Sequence, residues 1–191
     1  MHLGADIIKC ALRLLALQPL KWHYFWGKCI AWIVRVPLRY RKDVVMINLA
    51  RSFPEKKYRE LEDIAVKFYG HLGRIIAETV WFAGSYIKNR LEDSGICHYS
   101  NLEALSELFD KAPSVMLMTS HAGNWEILGG CMHYRSLTRS GTFSFTEDEI
   151  SIVYKELSNK TMDRVMRHNR CTPVKADWSI CCVESKDIMR F

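Results

Sequence analysis

The sequence predicts an α/β protein, with a partial, mostly parallel sheet flanked by helices. Apolar residues make up 49% of the 191 residues, enough to bury a core. After residue 100, short apolar runs of strand length alternate with helical patterns, as in parallel strands joined by crossovers. Before them, apolar residues recur at spacings of three and four over 55–83, which predicts one long amphipathic helix.

The N-terminal segment, 1–42, is predicted to be a membrane-associated helical hairpin. Residues 3–34 are rich in Leu, Ile, Trp, Phe and Tyr, and Pro19 and Pro37 end two helical patterns. Basic residues interrupt both patterns, so neither reaches the roughly 20 apolar residues of a spanning helix. Tryptophans mixed with basic residues, followed by RVPLRYRK, are typical of a segment lying at headgroup level. The alternative is a hairpin that packs on the protein itself.

The remaining residues, 43–191, are predicted to form the α/β domain. Ser52, followed by Phe-Pro-Glu, is interpreted as the N-cap of the long helix, and Ser100 as the start of a short helix, 101–110. Helices are also expected after HAGNWE, from Ser158 or Asn159, and from ESKDIMRF at 184–191. The predicted strands are three apolar runs: SVMLMTS at 114–120, ISIVYKEL at 150–157 and CTPVKA at 171–176.

Composition narrows the classes of partner. The formal charge of +6, from 27 basic and 21 acidic residues, favours anionic partners such as lipid headgroups, acidic proteins or nucleic acid. Nucleic-acid binding is not predicted, because it would need basic residues interleaved with exposed aromatic ones on a recognisable module, and the aromatic residues of this sequence cluster in apolar helices. The seven cysteines are irregularly spaced without a CxxC pair, so we expect reduced thiols, no metal site and no cofactor.

The segment LMTSHAGNWEIL, 117–128, carries the candidate chemistry. His121 follows a predicted strand, at the edge where open α/β sheets bind ligands. Gly123 permits a sharp turn, and Asn124 is expected to cap the next helix, which puts Glu126 in its first turn. Glu126 could then orient the His121 imidazole as a general base. No GxSxG motif is present, so the activated hydroxyl is expected to belong to a substrate; a histidine without catalytic function is the alternative.

HAGNWE after an apolar run resembles the HxxxxE motif of the lysophospholipid acyltransferase-like enzymes. It is most similar to the branch of bacterial lipid A late acyltransferases, the lauroyl and myristoyl transferases. The resemblance extends over about residues 20–175 through three further segments: RYRKDVVMINLARSFPE at 39–55, FYGHLGRIIAET at 68–79 and VYKELSNKTMDRVMRHNR at 153–170. In the last segment, Lys155 stands where the family usually has arginine.

The resemblance implies transfer of a fatty acyl chain from acyl carrier protein or acyl-CoA to a hydroxyl of a lipid A precursor, or of an aminolipid or glycolipid. His121 would be the general base and Glu126 its partner. Candidate substrate-binding residues, by position only, are Asn124, Lys155, Arg164 and Arg167. The implied location is the cytoplasmic face of the bacterial inner membrane. The acidic carrier protein and anionic lipid both suit the charge of +6.

The sequence also departs from the family pattern. Members of the family continue beyond the point where this sequence stops, with further strands and substrate-binding motifs. The expectation is therefore a truncated or split member, whose three-stranded sheet would leave an exposed edge. A non-catalytic, membrane-binding relative is the alternative from a different functional class.

Overall fold

A computed structural model describes residues 3–112, 114–120, 122–136, 146, 149–173 and 182–184. This part of the chain is mostly helical. Its helices are α1 (Leu3–Ala16), α2 (Leu20–Arg35), α3 (Lys42–Ser52), α4 (Tyr58–Phe82), α5 (Arg90–Ser94), α6 (Leu102–Lys111), a 3-10 helix (Trp125–His133) and α7 (Lys160–Arg170). Its strands are β1 (His98–Tyr99), β2 (Arg135–Ser136), β3 (Ile152–Tyr154) and β4 (Cys182–Glu184).

The chain divides into two compact units. One is Gln18–Trp81, and the other combines Met1–Leu17 with Phe82–Phe191. The predicted division after residue 42 was based on contact with a membrane and stays a prediction.

Within Gln18–Trp81, α2 and α4 cross at two glycines. A Cβ atom on Gly27 would lie 2.6 Å from the carbonyl oxygen of Gly73 and 3.0 Å from Cβ of Ala77. A Cβ atom on Gly73 would in turn clash with the carbonyl oxygen of Gly27 and lie 2.9 Å from Cβ of Ala31. Residues four apart share a helix face, so each helix presents a Gly and an Ala at this crossing. The two backbones therefore touch directly.

A second face of α2 is apolar and exposed. This aromatic face consists of Trp22, Phe25, Trp26 and Trp32, and about half of each side chain is accessible to solvent. Trp22 and Trp26 each pack edge-on against Phe25, with ring centroids 6.1 and 5.2 Å apart. Among the described helices, none combines the length and the apolar character needed to cross a bilayer. Contact of this face with a membrane surface stays a prediction.

In the other unit, α1 packs against α7. Nη2 of Arg13 lies 3.1 Å from Nε2 of His168. The Arg90 guanidinium donates to the carbonyl oxygen of Ala16, at the end of α1. The largest fully buried side chains described in this unit are those of Phe82, Leu91, Leu102 and Val165. Two of them, Phe82 and Leu91, lie next to Gly130 of the 3-10 helix.

The sheet prediction is only partly borne out. β1 pairs with β2 and β3 with β4, and both pairs are parallel, as the alternation of helices and strands predicted. The described strands nevertheless form two separate pairs, with registers His98↔Arg135 and Ile152↔Cys182, rather than one continuous sheet. The predicted strand at 150–157 is confirmed as the shorter β3.

The predicted buried strand at 114–120 is wrong. These residues have no regular secondary structure, and the side chains of Met116 and Met118 are 84% and 90% exposed. A buried strand needs a neighbouring strand to pair with its backbone N–H and C=O groups. The described strands pair elsewhere, so the apolar composition of this run does not place it in a sheet.

The long helix and α7 are confirmed, with differences at the helix starts. Ser52 ends α3, which the sequence analysis did not anticipate, and α4 begins only at Tyr58. The backbone N–H of Lys57 donates to Oε2 of Glu60 at 2.9 Å, in place of the predicted Ser52 cap. α7 begins directly after Asn159, in agreement with the predicted start at Ser158 or Asn159, and Oδ1 of Asn159 accepts from the N–H groups of Thr161 and Met162.

Three further differences concern the other element boundaries. Asn101, not Ser100, caps α6, since its side chain accepts from the N–H of Ala104. Residues 171–173 form a turn where a third strand was predicted to begin. β4 occupies Cys182–Glu184, where the last helix was expected to start, and residues 174–181 and 185–191 lie outside the described residues.

Candidate active site

The 3-10 helix Trp125–His133 positions the carboxylate of the HAGNWE segment. Gly123 has φ +69, in the left-handed region that glycine adopts without strain. Asn124 occupies the N-cap position as predicted, but its side chain makes no capping hydrogen bond. The main-chain carbonyl oxygen of Asn124 instead accepts from the N–H of Ile127 at 3.3 Å. Glu126 thus lies in the first helical turn, as predicted, whereas His121 lies outside the described residues.

Glu126 forms a bidentate ion pair with Arg170. Nε of Arg170 donates to Oε2 of Glu126 at 2.6 Å, and Nη2 donates to Oε1 at 2.7 Å. Each side chain is 13% exposed. The guanidinium also lies over the Trp125 ring, with Cζ 5.0 Å from the ring centroid. Two parallel charge-assisted hydrogen bonds fix both the position and the plane of the carboxylate.

Close backbone packing holds the 3-10 helix against the end of α7. A Cβ atom on Gly129 would clash with the carbonyl oxygen of Arg170 and lie 3.1 Å from its carbonyl carbon. Gly130 faces the apolar core, where a Cβ atom would lie 3.2 Å from Cε2 of Phe82. The hydroxyl of Tyr134 donates to the carbonyl oxygen of Ile127 at 2.6 Å. The Glu126–Arg170 pair is therefore supported by main-chain contact between two elements.

Comparison with known proteins identifies the family. The family model of the bacterial lipid A biosynthesis acyltransferases matches residues 4–172, which is most of the 191-residue chain. The chain belongs to this family. No curated protein and no solved structure matches it. The predicted resemblance of the sequence to the bacterial lipid A acyltransferases is thereby confirmed.

The other candidate residues of this lipid A acyltransferase family member lie just after β3 and on α7. Lys155 follows β3 and is exposed, and Arg164 is exposed on α7. Arg167 is half-buried, with Cζ 5.9 Å from the centroid of the Tyr154 ring. Their roles in substrate binding, like those of His121, Asn124 and Glu126, stay predictions.

Sequence reasoning missed Arg170 as the partner of Glu126. The two residues are 44 positions apart, in segments that each resemble the family, and their charges are opposite. The opposite charges were the only indication in the sequence that the two residues could pair, and Arg164 and Arg167 carry the same charge on the same helix.

Among the described residues, no group of three His, Cys, Asp or Glu side chains could hold a metal ion.

Proposed function

We propose that this protein transfers a fatty acyl chain from a thioester donor, acyl carrier protein or acyl-CoA, to a hydroxyl of a lipid A precursor. The observation that carries the proposal is the family match over residues 4–172, which includes the HAGNWE segment. The early position of Glu126 in the 3-10 helix, with its carboxylate held in one orientation, supports it.

In the proposed reaction, the His121 imidazole takes the proton of the acceptor hydroxyl as its oxygen attacks the thioester carbonyl. The tetrahedral intermediate collapses, the carbon–sulfur bond breaks, and the imidazolium returns the proton to the leaving thiolate. Glu126 accepts a hydrogen bond from the other ring nitrogen, which fixes the tautomer and stabilises the imidazolium. Each carboxylate oxygen of Glu126 accepts one hydrogen bond from Arg170. Each can accept a second hydrogen bond, so the contact with Arg170 leaves room for the imidazole.

The proposed setting is the cytoplasmic face of the bacterial inner membrane. The aromatic face of α2 is suited to the bilayer interface, since indole rings are favoured at headgroup level. The charge of +6 favours both anionic lipid and an acidic carrier protein.

The test is His121→Ala, assayed with acyl carrier protein or CoA thioesters and a lipid A precursor in mixed micelles, with products identified by mass spectrometry. Loss of a general base lowers the rate by about 10²- to 10⁴-fold, so we expect transfer to fall by about that factor. His71→Ala is the matched control, because His71 is exposed on α4 in the other compact unit. Unchanged transfer by His121→Ala, with folding intact, would contradict the proposed base.

The same assay distinguishes the alternatives. Replacing the lipid A precursor by an aminolipid or a glycolipid shows which acceptor is used. A non-catalytic relative would bind vesicles but give no acylated product with any donor and acceptor, and that outcome would overturn the proposed function.

A further inference from the structure

We propose that Arg170 is a positioning residue for acyl transfer, which orients Glu126 and, through it, the imidazole of His121. This inference rests on the proposed function, because it assigns Arg170 a part in that reaction. Arg170 would not touch the reacting atoms. Its task would be to keep the carboxylate in one orientation throughout the reaction.

The geometry of the pair carries the first step. A glutamate side chain has three rotatable bonds, and a single hydrogen bond leaves the plane of its carboxylate free to turn. The Arg170 fork contacts both oxygens, at 2.6 and 2.7 Å, and so determines that plane. The acceptor positions that remain on Glu126 then point in fixed directions.

The second step is that Arg170 itself is held firmly. Its guanidinium stacks on Trp125, the residue just before Glu126, and its carbonyl group is in direct contact with Gly129. It lies in the last turn of α7, where the helix dipole favours a positive charge. The start of α7 is fixed as well, since Oδ1 of the buried Asp163 accepts from the N–H of Leu157 at 2.8 Å.

Charge is the third step. With 13% of each side chain exposed, Glu126 and Arg170 are largely removed from water, and a carboxylate in such a place is costly unless a cation pairs with it. Without Arg170, Glu126 would turn towards solvent to recover hydration. It would then leave the position from which it can hold the imidazole.

The test is a double-mutant cycle with Arg170→Gln and Glu126→Gln, with kcat and KM measured in the acyl-transfer assay. A small misplacement of a catalytic group costs up to about 100-fold in rate, so we expect Arg170→Gln to lower kcat by about 10- to 100-fold and to leave KM nearly unchanged. If Arg170 acts through Glu126, the same substitution in the Glu126→Gln background lowers kcat by less than about twofold.

Two further variants complete the experiment. Arg170→Lys keeps the charge but not the bidentate contact, so its kcat should lie between those of the unaltered protein and Arg170→Gln. If circular dichroism in detergent shows that Arg170→Gln does not fold, Arg170→Lys replaces it in the double-mutant cycle with Glu126→Gln. Lys160→Gln is the matched control, since it removes a positive charge from an exposed position on the same helix.

The outcomes separate this inference from the proposed function. Equal losses of kcat in both backgrounds, a change confined to KM, or an Arg170→Lys variant as fast as the unaltered protein would overturn the positioning role alone. Absence of transfer by the unaltered protein would overturn the proposed function and this inference together.

Discussion

Glu126 stands in a six-residue segment that resembles a family motif, yet both of its carboxylate oxygens accept from Arg170, 44 positions later. Trp125 and Gly129, its neighbours in the 3-10 helix, contact the same arginine through a ring face and a backbone approach. Three residues of one short helix thus contact one arginine, two through its guanidinium and one through its main-chain carbonyl. The orientation of the carboxylate depends on α7 as much as on the segment that contains it.

His168 is expected to make the stability of the protein depend on pH. Burial, and then the positive charges of Arg13 and Lys9, lower the pKa of its imidazole, against a smaller opposing effect of Asp6. A histidine whose pKa is lower in the folded state carries no penalty above its ordinary pKa of about 6.5. Below that pH the unfolded chain binds a proton that the folded protein excludes, so stability falls as the pH decreases towards the folded-state pKa.

The measurement is the unfolding midpoint in urea at pH 7.5 and at pH 5.5, in a mild detergent. We expect His168→Gln to lose less stability over this range than the unaltered protein, because glutamine can still accept from Arg13 and takes up no proton. An identical pH dependence of the two proteins would show that His168 does not contribute to it.

Among the elements, the crossing of α2 and α4 makes the sharpest prediction. Gly27→Ala would place a methyl group 2.6 Å from the carbonyl oxygen of Gly73 and force the two helices apart. Overpacking of this kind costs about 1–3 kcal/mol, so we expect the thermal unfolding midpoint to fall.

Gly70→Ala is the matched control on α4. A Cβ atom there meets nothing within 4 Å, and alanine is favoured over glycine in a helix by about 0.5–1 kcal/mol. We therefore expect Gly70→Ala to be neutral or stabilising. Equal destabilisation by both substitutions would contradict the direct backbone contact between Gly27 and Gly73.

The elements also show what the sequence could and could not predict. The long helix could be predicted, because its apolar residues repeat at helical spacing over 25 residues. This periodicity can be read from the sequence without knowing what the helix packs against. The run at 114–120 could not, because a strand exists only through hydrogen bonds to other strands, and apolar composition does not supply them. The prediction of Ser52 as the N-cap of the long helix was wrong, because Ser52 is the last residue of α3, a helix that the sequence did not predict.

The candidate site was predictable to the same degree. Local backbone chemistry placed Gly123 at a turn and Glu126 in the first turn of a helix, and both placements are confirmed. The partner of Glu126 was not predictable, because three arginines on α7 carry the same charge and only the packing of that helix selects Arg170.

For the whole molecule, the prediction concerns membrane binding. We expect the protein to bind vesicles containing phosphatidylglycerol, and Trp26→Ala or Trp32→Ala to weaken binding about tenfold each, since burial of a large side chain contributes about 1.5–3 kcal/mol. Binding should also weaken with added salt, because the basic segment RVPLRYRK begins at the last residue of α2. Cosedimentation with sucrose-loaded vesicles measures both effects.

Leu108→Ala is the control for the loss of an exposed apolar side chain. Leu108 is 51% exposed on α6, in the unit that does not contain α2. Its substitution should leave vesicle binding unchanged. If it weakens binding as much as the tryptophan substitutions do, the aromatic face of α2 has no special affinity for the bilayer.

The tight fit of Gly129 against the Arg170 carbonyl has a consequence for engineering. Grafting HAGNWE onto a foreign scaffold would transfer the glutamate but not the orientation of its carboxylate, because the arginine that orients it lies 44 positions later. The graft would also need the C-terminal turn of α7, together with the glycine at 129 that lets this turn pack closely.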